Sequence, residues 1–153
     1  MKFSAQEIYG IRCLQYMSRH SARNVTIREI AESEKLTVPN VAKIMRLLRK
    51  GGFITSIRGQ AGGYVLERPA DQINIRDVMI TLGGRLYDQE FCLRHSHKYN
   101  DCRAIEECTL RTLWNIVQEA VDQALTDITL ADLNNGESLE KYQKLLEEIP
   151  PPH

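Results

Sequence analysis

No stretch of this sequence approaches the roughly 18 uninterrupted apolar residues that a membrane span needs, because charged residues break every apolar window within a few positions. Membrane insertion is excluded on that ground, and with no apolar leader the chain is expected in the cytoplasm. Nucleotide chemistry leaves no trace either. The single glycine-rich loop, Arg58-Gly59-Gln60-Ala61-Gly62-Gly63, lacks the spacing and the Lys-Ser/Thr ending of a phosphate-binding P-loop. No dinucleotide fingerprint or Cys-His-Asp arrangement points to an enzyme. There is no internal repeat, and the only low-complexity tract is the closing Pro150-Pro151-Pro152.

Net charge is also missing, but only in the sum. Residues 1–85 hold 14 Lys/Arg against 7 Asp/Glu and residues 86–153 hold 6 against 13, so a net +7 is followed by a net −7. A basic first half joined to an acidic second half fits a protein whose first half alone meets a polyanion. At 153 residues the chain is one ordinary domain, or a small domain with a long appended helix.

Cysteine is scarce, four in all, yet Cys92, Cys102 and Cys108 fall within seventeen residues, with His95 and His97 in the first gap. In a reducing compartment disulfides are uncommon, and clustered thiols more often bind metal or sense redox state. Cys13 stands apart on an apolar helical stripe and reads as an inert core thiol.

Taken in order, Ser4 and Glu7 have capping-box spacing ahead of a helix to about His20, with Ile8, Ile11, Leu14 and Met17 inward. Thr26 and Glu29 repeat the box before a short helix with Ile27, Ile30 and Ala31 inward. A tight turn then leads to Thr37 as cap and to VPNVAKIMRLLRK, with Pro39 in its first turn. Val38, Val41, Ile44, Met45 and Leu48 form its inner face, and Asn40, Lys43, Arg46, Arg49 and Lys50 its open one. Two strands, 53–57 and 64–66, flank the glycine-rich loop. Helix, helix, hairpin is the order of a winged helix-turn-helix.

A capped segment from Asn74 to Gly83 follows, with Ile75, Val78, Met79 and Leu82 on one face. From Thr109, a coiled-coil-like seam of Leu110, Leu113, Val117, Ala120 and Ala124 predicts pairing with a second copy. Trp114, Val121 and Leu125 broaden it. A capped turn at Thr129 and an amphipathic tail over 137–149 complete the pattern. The expected fold is mainly α with a small β-hairpin. Its parts are a winged-helix DNA-binding domain over 1–84, a cysteine cluster-binding loop over 85–108, a dimerisation helix and cap over 109–135, and a C-terminal tail over 136–153.

The opening MKFSAQEIYGIRCL, the segment IREIAESEKLTVPNVAKIMRLLRKGGFITSIRGQAGGYVLERPADQINIRDVM, and the cysteine trio followed by LRTLW and DITLADL resemble the Rrf2-type winged-helix regulators, which include IscR-, NsrR- and RirA-like iron–sulfur regulators. The likeness covers roughly residues 1–135. It implies a cytoplasmic, homodimeric transcriptional regulator, not an enzyme, binding double-stranded DNA at a palindromic operator. Thr37, Pro39, Asn40, Lys43, Arg46, Arg49 and Lys50 would belong to the recognition helix, and Arg58, Gly59 and Gln60 to the wing. Thr37, Asn40 and Lys43 are expected at base edges; Arg46, Arg49 and Lys50 at phosphates.

Cys92, Cys102 and Cys108 would hold an iron–sulfur cluster, 2Fe-2S favoured over 4Fe-4S. Nine residues separate Cys92 from Cys102 where the family has five, and Arg111 stands where the cluster-assembly regulators carry a histidine. The fourth ligand is left open among His95, His97 and Glu7 of the partner subunit. Two regulators of other kinds remain alongside: one stabilised by zinc on Cys92, His95, Cys102 and Cys108, and one switched by metal-free thiols. An iron–sulfur electron-transfer protein is the remaining alternative.

Overall fold

A computed structural model describes residues 4–87, 108–136, 139, 140 and 143. Cys92, His95, His97, Cys102 and most of the expected tail helix lie outside the described residues. The elements run α1 (Ala5–Arg19), α2 (Ile27–Glu34), α3 (Val38–Lys50), β1 (Ile54–Ile57), β2 (Gly63–Leu66), a short 3-10 turn (Ala70–Gln72), α4 (Ile75–Gly83), α5 (Thr109–Thr126) and α6 (Leu130–Asn134). The fold is a winged helix-turn-helix followed by one long helix.

Local chemistry sets the helix starts. Ser4 Oγ accepts from Glu7 N at 3.3 Å while Ser4 N donates to Glu7 Oε2 at 2.6 Å, and the box between Thr26 and Glu29 opens α2 in the same way. Those bonds from the Thr26 backbone and hydroxyl hold the exposed Glu29 carboxyl below its ordinary range, with Arg23 adding to the effect. Between α2 and α3 the chain turns at Lys35, whose φ of 57° is left-handed, and Leu36 N returns to Ala31 O at 2.9 Å. The α3 terminus needs a glycine at Gly52, with φ of 75°.

The core gathers Cys13, Leu14 and Met17 from α1, Ile30 from α2, Val41, Ile44, Met45 and Leu48 from α3, and Val78 and Leu82 from α4. Helices α1 and α4 approach closely at Gly10, where any Cβ would overlap the side chain of Leu82. Two expected core residues lie outside it: Ile8 is 49 % and Val38 46 % exposed. Each sits in the first turn of its helix, past the reach of the neighbouring elements, so the spacing carried the stripe one turn too far.

Strands β1 and β2 pair antiparallel, Ile54 opposite Leu66 and Ile57 opposite Gly63. The link between α1 and α2 adds an isolated antiparallel bridge to β2, Val25 N to Tyr64 O at 3.0 Å and Tyr64 N to Val25 O at 2.8 Å. At the other end of the chain, Ile75 N bonds Ile128 O and Leu130 N bonds Ile73 O. These bonds bring α6 onto the head, where Leu130 is fully buried, Leu133 O accepts from Gln15 Nε2 and Asn134 Nδ2 donates to Ser18 Oγ.

Candidate nucleic-acid interface and cysteine site

The buried face of α3 is Val41, Ile44, Met45 and Leu48, which leaves Pro39, Lys43, Arg46 and Lys50 exposed. At about 100° per residue these four stand within about 60° of one another, and the half-buried Asn40 and exposed Arg49 flank the row, each about 60° beyond its edge. Arg46 therefore shares a row with Lys43 instead of standing apart from it. Thr37 occupies the N-cap position, but its hydroxyl makes no capping bond, which leaves that oxygen available to an incoming group.

Among the described residues no ion pair compensates the charge on this face. The ion pairs among the described residues use Arg12, Arg23, Arg76 and Arg85, and Lys43, Arg46, Arg49, Lys50 and Arg58 are in none of them. Arg58, Gly59 and Gln60 are exposed at the wing. Gly59 has φ of 120°, a backbone that L side chains rarely adopt, and Gly62 N returns to Gly59 O at 3.0 Å. Asn24 Nδ2 donates to Ala61 O at 2.6 Å and so holds the wing tip to the α1–α2 link. Sequence reasoning missed Asn24 because it lies in a polar break with no periodicity to mark it.

Of the cysteine trio, Cys108 is described. It is the N-cap residue of α5 and half-buried, and its side chain makes no capping bond. One turn on, Arg111 Nε is buried with no hydrogen-bond partner among the described residues. An N–H that is buried and unpaired among the described residues, three positions after a thiol at the N-terminal end of an 18-residue helix, suits an anionic, sulfur-rich group. Cys13 is fully buried, and burial pushes its thiol up to about 12, with Glu34 adding and Arg12 opposing. Glu7 is 8 % exposed, and its carboxylate is engaged by Ser4 N.

Helix α5 lies against α4, and its Gln118, Val121 and Leu125 line one small cavity with Met79 and Ile80 of α4. The seam faces away: Leu110 is 61 % exposed, Leu113 and Trp114 are about half exposed, Ala120 and Ala124 are exposed and Val117 is half-buried. Ile116, which the heptad spacing passed over, is 60 % exposed and widens the apolar face.

A family profile described as Rrf2, iron-dependent transcriptional regulator, matches residues 3–136. The chain belongs to the Rrf2 family. Protein rrf2 of Nitratidesulfovibrio vulgaris is 34 % identical over 140 residues, covering 91 % of each chain. The HTH-type transcriptional regulator IscR of Erwinia tasmaniensis is 26 % identical over 140 residues, covering 91 % of this chain and 82 % of that one. Among solved structures, CymR (YrzC), the global cysteine regulator of B. subtilis, superposes with a TM-score of 0.69 at 27 % identity, covering 88 % of this chain and 97 % of that one. This Rrf2 chain is accordingly a winged-helix, DNA-binding transcriptional regulator, and its family is one of regulators, not enzymes. Among the described residues no helix is long and apolar enough to cross a membrane.

Proposed function

We propose that this chain acts in the cytoplasm as a homodimer whose affinity for a palindromic operator is set by an iron–sulfur cluster on Cys92, Cys102 and Cys108. The division into a DNA-binding head over 1–84, a cysteine loop over 85–108 and a dimerisation helix from 109 belongs to this reading. One observation carries it: Cys108 begins the helix whose exposed apolar face would pair with a second copy, so a ligand position and a dimer surface share one rigid element.

In this account the row Pro39, Lys43, Arg46 and Lys50 enters the major groove, flanked by Asn40, with Thr37 at its leading end. Arg49 meets the backbone. Arg58, Gly59 and Gln60 follow the adjacent phosphates or minor groove, where small residues avoid obstruction. Phosphate contacts fix position, and base edges set sequence. The two heads must reach half-sites about one helical turn apart, so a change in the angle of α5 changes affinity. When bound, the cluster, favoured as 2Fe-2S, supplies a centre that responds to iron supply, nitric oxide or redox poise.

His95 or His97 is a better fourth ligand than Glu7 of the partner subunit. A carboxylate that is nearly buried and already serves as the partner of Ser4 N would have to abandon its capping box before it could reach a metal. Arg111, in the position of the family's ligating histidine, offers a buried donor and no lone pair.

A second reading, a metal-free thiol switch, draws support from the likeness to CymR, the global cysteine regulator of B. subtilis. A zinc site on Cys92, His95, Cys102 and Cys108 is the third. Anaerobic purification separates the three by visible absorption and metal analysis. Coloured protein with iron and sulfide is the expected result; colourless zinc protein, or colourless protein with no metal, would replace the cluster by the corresponding alternative.

A further inference from the structure

Along α5, Gln118, Asp122 and Thr126 recur every four residues and so share one face, turned from Leu113 and Ile116. All three are engaged. Gln118 is 6 % exposed; its Oε1 accepts from Tyr87 N at 3.0 Å and its Nε2 donates to Asp122 Oδ1 at 3.0 Å. The other carboxylate oxygen of Asp122 takes Arg85 Nη2 at 2.5 Å. Thr126 Oγ1 donates to Asp122 O at 2.7 Å and accepts from Arg76 Nη1 at 3.4 Å, while Thr126 O accepts from Asn74 Nδ2 at 2.5 Å. Asn74 Oδ1 in turn caps α4 by accepting from Arg76 N at 2.9 Å.

A continuous ladder therefore runs from Arg85 and Tyr87 to α5 and on to the first turn of α4. In sequence, Tyr87 stands five residues before Cys92. The ladder borders an open cleft of about 710 Å³ lined by Arg76, Arg85, Asn115, Gln123 and its own members, so water reaches its edge. Hydrogen bonds there exchange with water at small net cost, whereas a buried amide such as that of Gln118 must keep partners. Gln118, bonded both to Tyr87 N and to Asp122, therefore ties the chain that follows α4 to the buried face of α5.

We propose that Gln118, Asp122 and Thr126 are the coupling element of this regulator: positioning residues through which the chain leaving α4 fixes the angle of the dimer helix on the winged helix. The proposal rests on the reading of the cysteines as a sensory site and adds how that site reaches the DNA-binding face. It places no residue of the ladder in contact with metal or DNA.

The test uses the full-length dimer with Gln118→Leu, which keeps the volume and removes both bonds. Asp122→Asn is the second variant, should the first fail to dimerise. In cluster-free protein, amide exchange at Tyr87 should be about tenfold faster in Gln118→Leu than in wild type, with the Leu48 amide unchanged. Both variants should keep cluster absorbance and dimer, yet the ratio of operator affinities between cluster-loaded and cluster-free forms should fall to within about twofold of unity. Equal Tyr87 exchange in wild type and Gln118→Leu overturns the ladder. A wild-type ratio that survives both substitutions overturns its coupling role. Should wild type show no cluster-dependent ratio, the sensory reading fails and the coupling role with it, while the Tyr87 result still decides whether the ladder holds the chain.

Discussion

Asn24 donates its side-chain amide to the carbonyl of Ala61, 37 residues away, at 2.6 Å. That bond, with the Val25–Tyr64 rung beside it, fixes the wing against the α1–α2 link. The direction in which Arg58 is presented is therefore set from outside the hairpin.

Asn24→Ala should weaken operator binding although Asn24 itself need not touch DNA. The loss should be non-additive with Arg58→Ala: once the wing is loose, removing Arg58 should cost clearly less than in wild type. A double-mutant cycle read by operator titration at fixed salt measures it, and strict additivity would separate Asn24 from the wing. Arg58→Ala alone should also make the dependence of log affinity on log salt shallower, by roughly 0.9 for each phosphate that the guanidinium neutralises.

Leu130 is fully buried among residues of the winged helix although it follows the long helix. Leu130→Ala should therefore destabilise the head by about 2–5 kcal/mol, read by urea unfolding of the dimer at fixed protein concentration. A loss well below about 1 kcal/mol would mean that α6 is not part of that core.

Cys13 should behave as a core residue at every accessible pH. Its thiol is raised from 9.0 to about 12 in the folded chain, so folding favours the protonated form. That stabilisation is complete below about 9 and is lost as pH rises toward 12. Alkylation at pH 8 followed by mass spectrometry should leave Cys13 unmodified in native protein and modify it in urea. Native labelling of Cys13 would show that its burial is not maintained.

The exposed face of α5 should hold the dimer together. Val117→Glu would bury an unpaired carboxylate at a cost of several kcal/mol, and sedimentation should show monomer. An intact dimer for that variant would move the interface elsewhere.

Much of the winged helix was legible in the sequence because its signals are local. The capping boxes of Ser4 and Thr26, the inner face of α3 and the glycine loop of the wing each need only neighbours in the chain. The limits were tertiary. Nothing near Ile8 or Val38 in sequence tells that no other element covers them, and the bonds that tie Asn24 to Ala61 and the packing of Leu130 on the head join distant segments without a periodic trace. Gln118 is polar, which in a sequence reads as solvent-facing, yet it is buried on the face of Val121 and Leu125, where it accepts from Tyr87 N. The cysteine trio announces itself by crowding alone, while a fourth ligand is a matter of which side chain folds back, and spacing does not encode that.

If one chain couples cysteine ligation to DNA affinity, removing the cluster must change operator binding. The direct measurement is an anaerobic operator titration of a single preparation before and after cluster removal, repeated with Cys92→Ala, Cys102→Ala and Cys108→Ala. Removal should shift wild-type affinity by about tenfold or more, and each cysteine variant should lose cluster absorbance and bind as the cluster-free protein does. Identical operator affinity for loaded and cluster-free wild type, or full cluster absorbance in all three variants, would contradict the account.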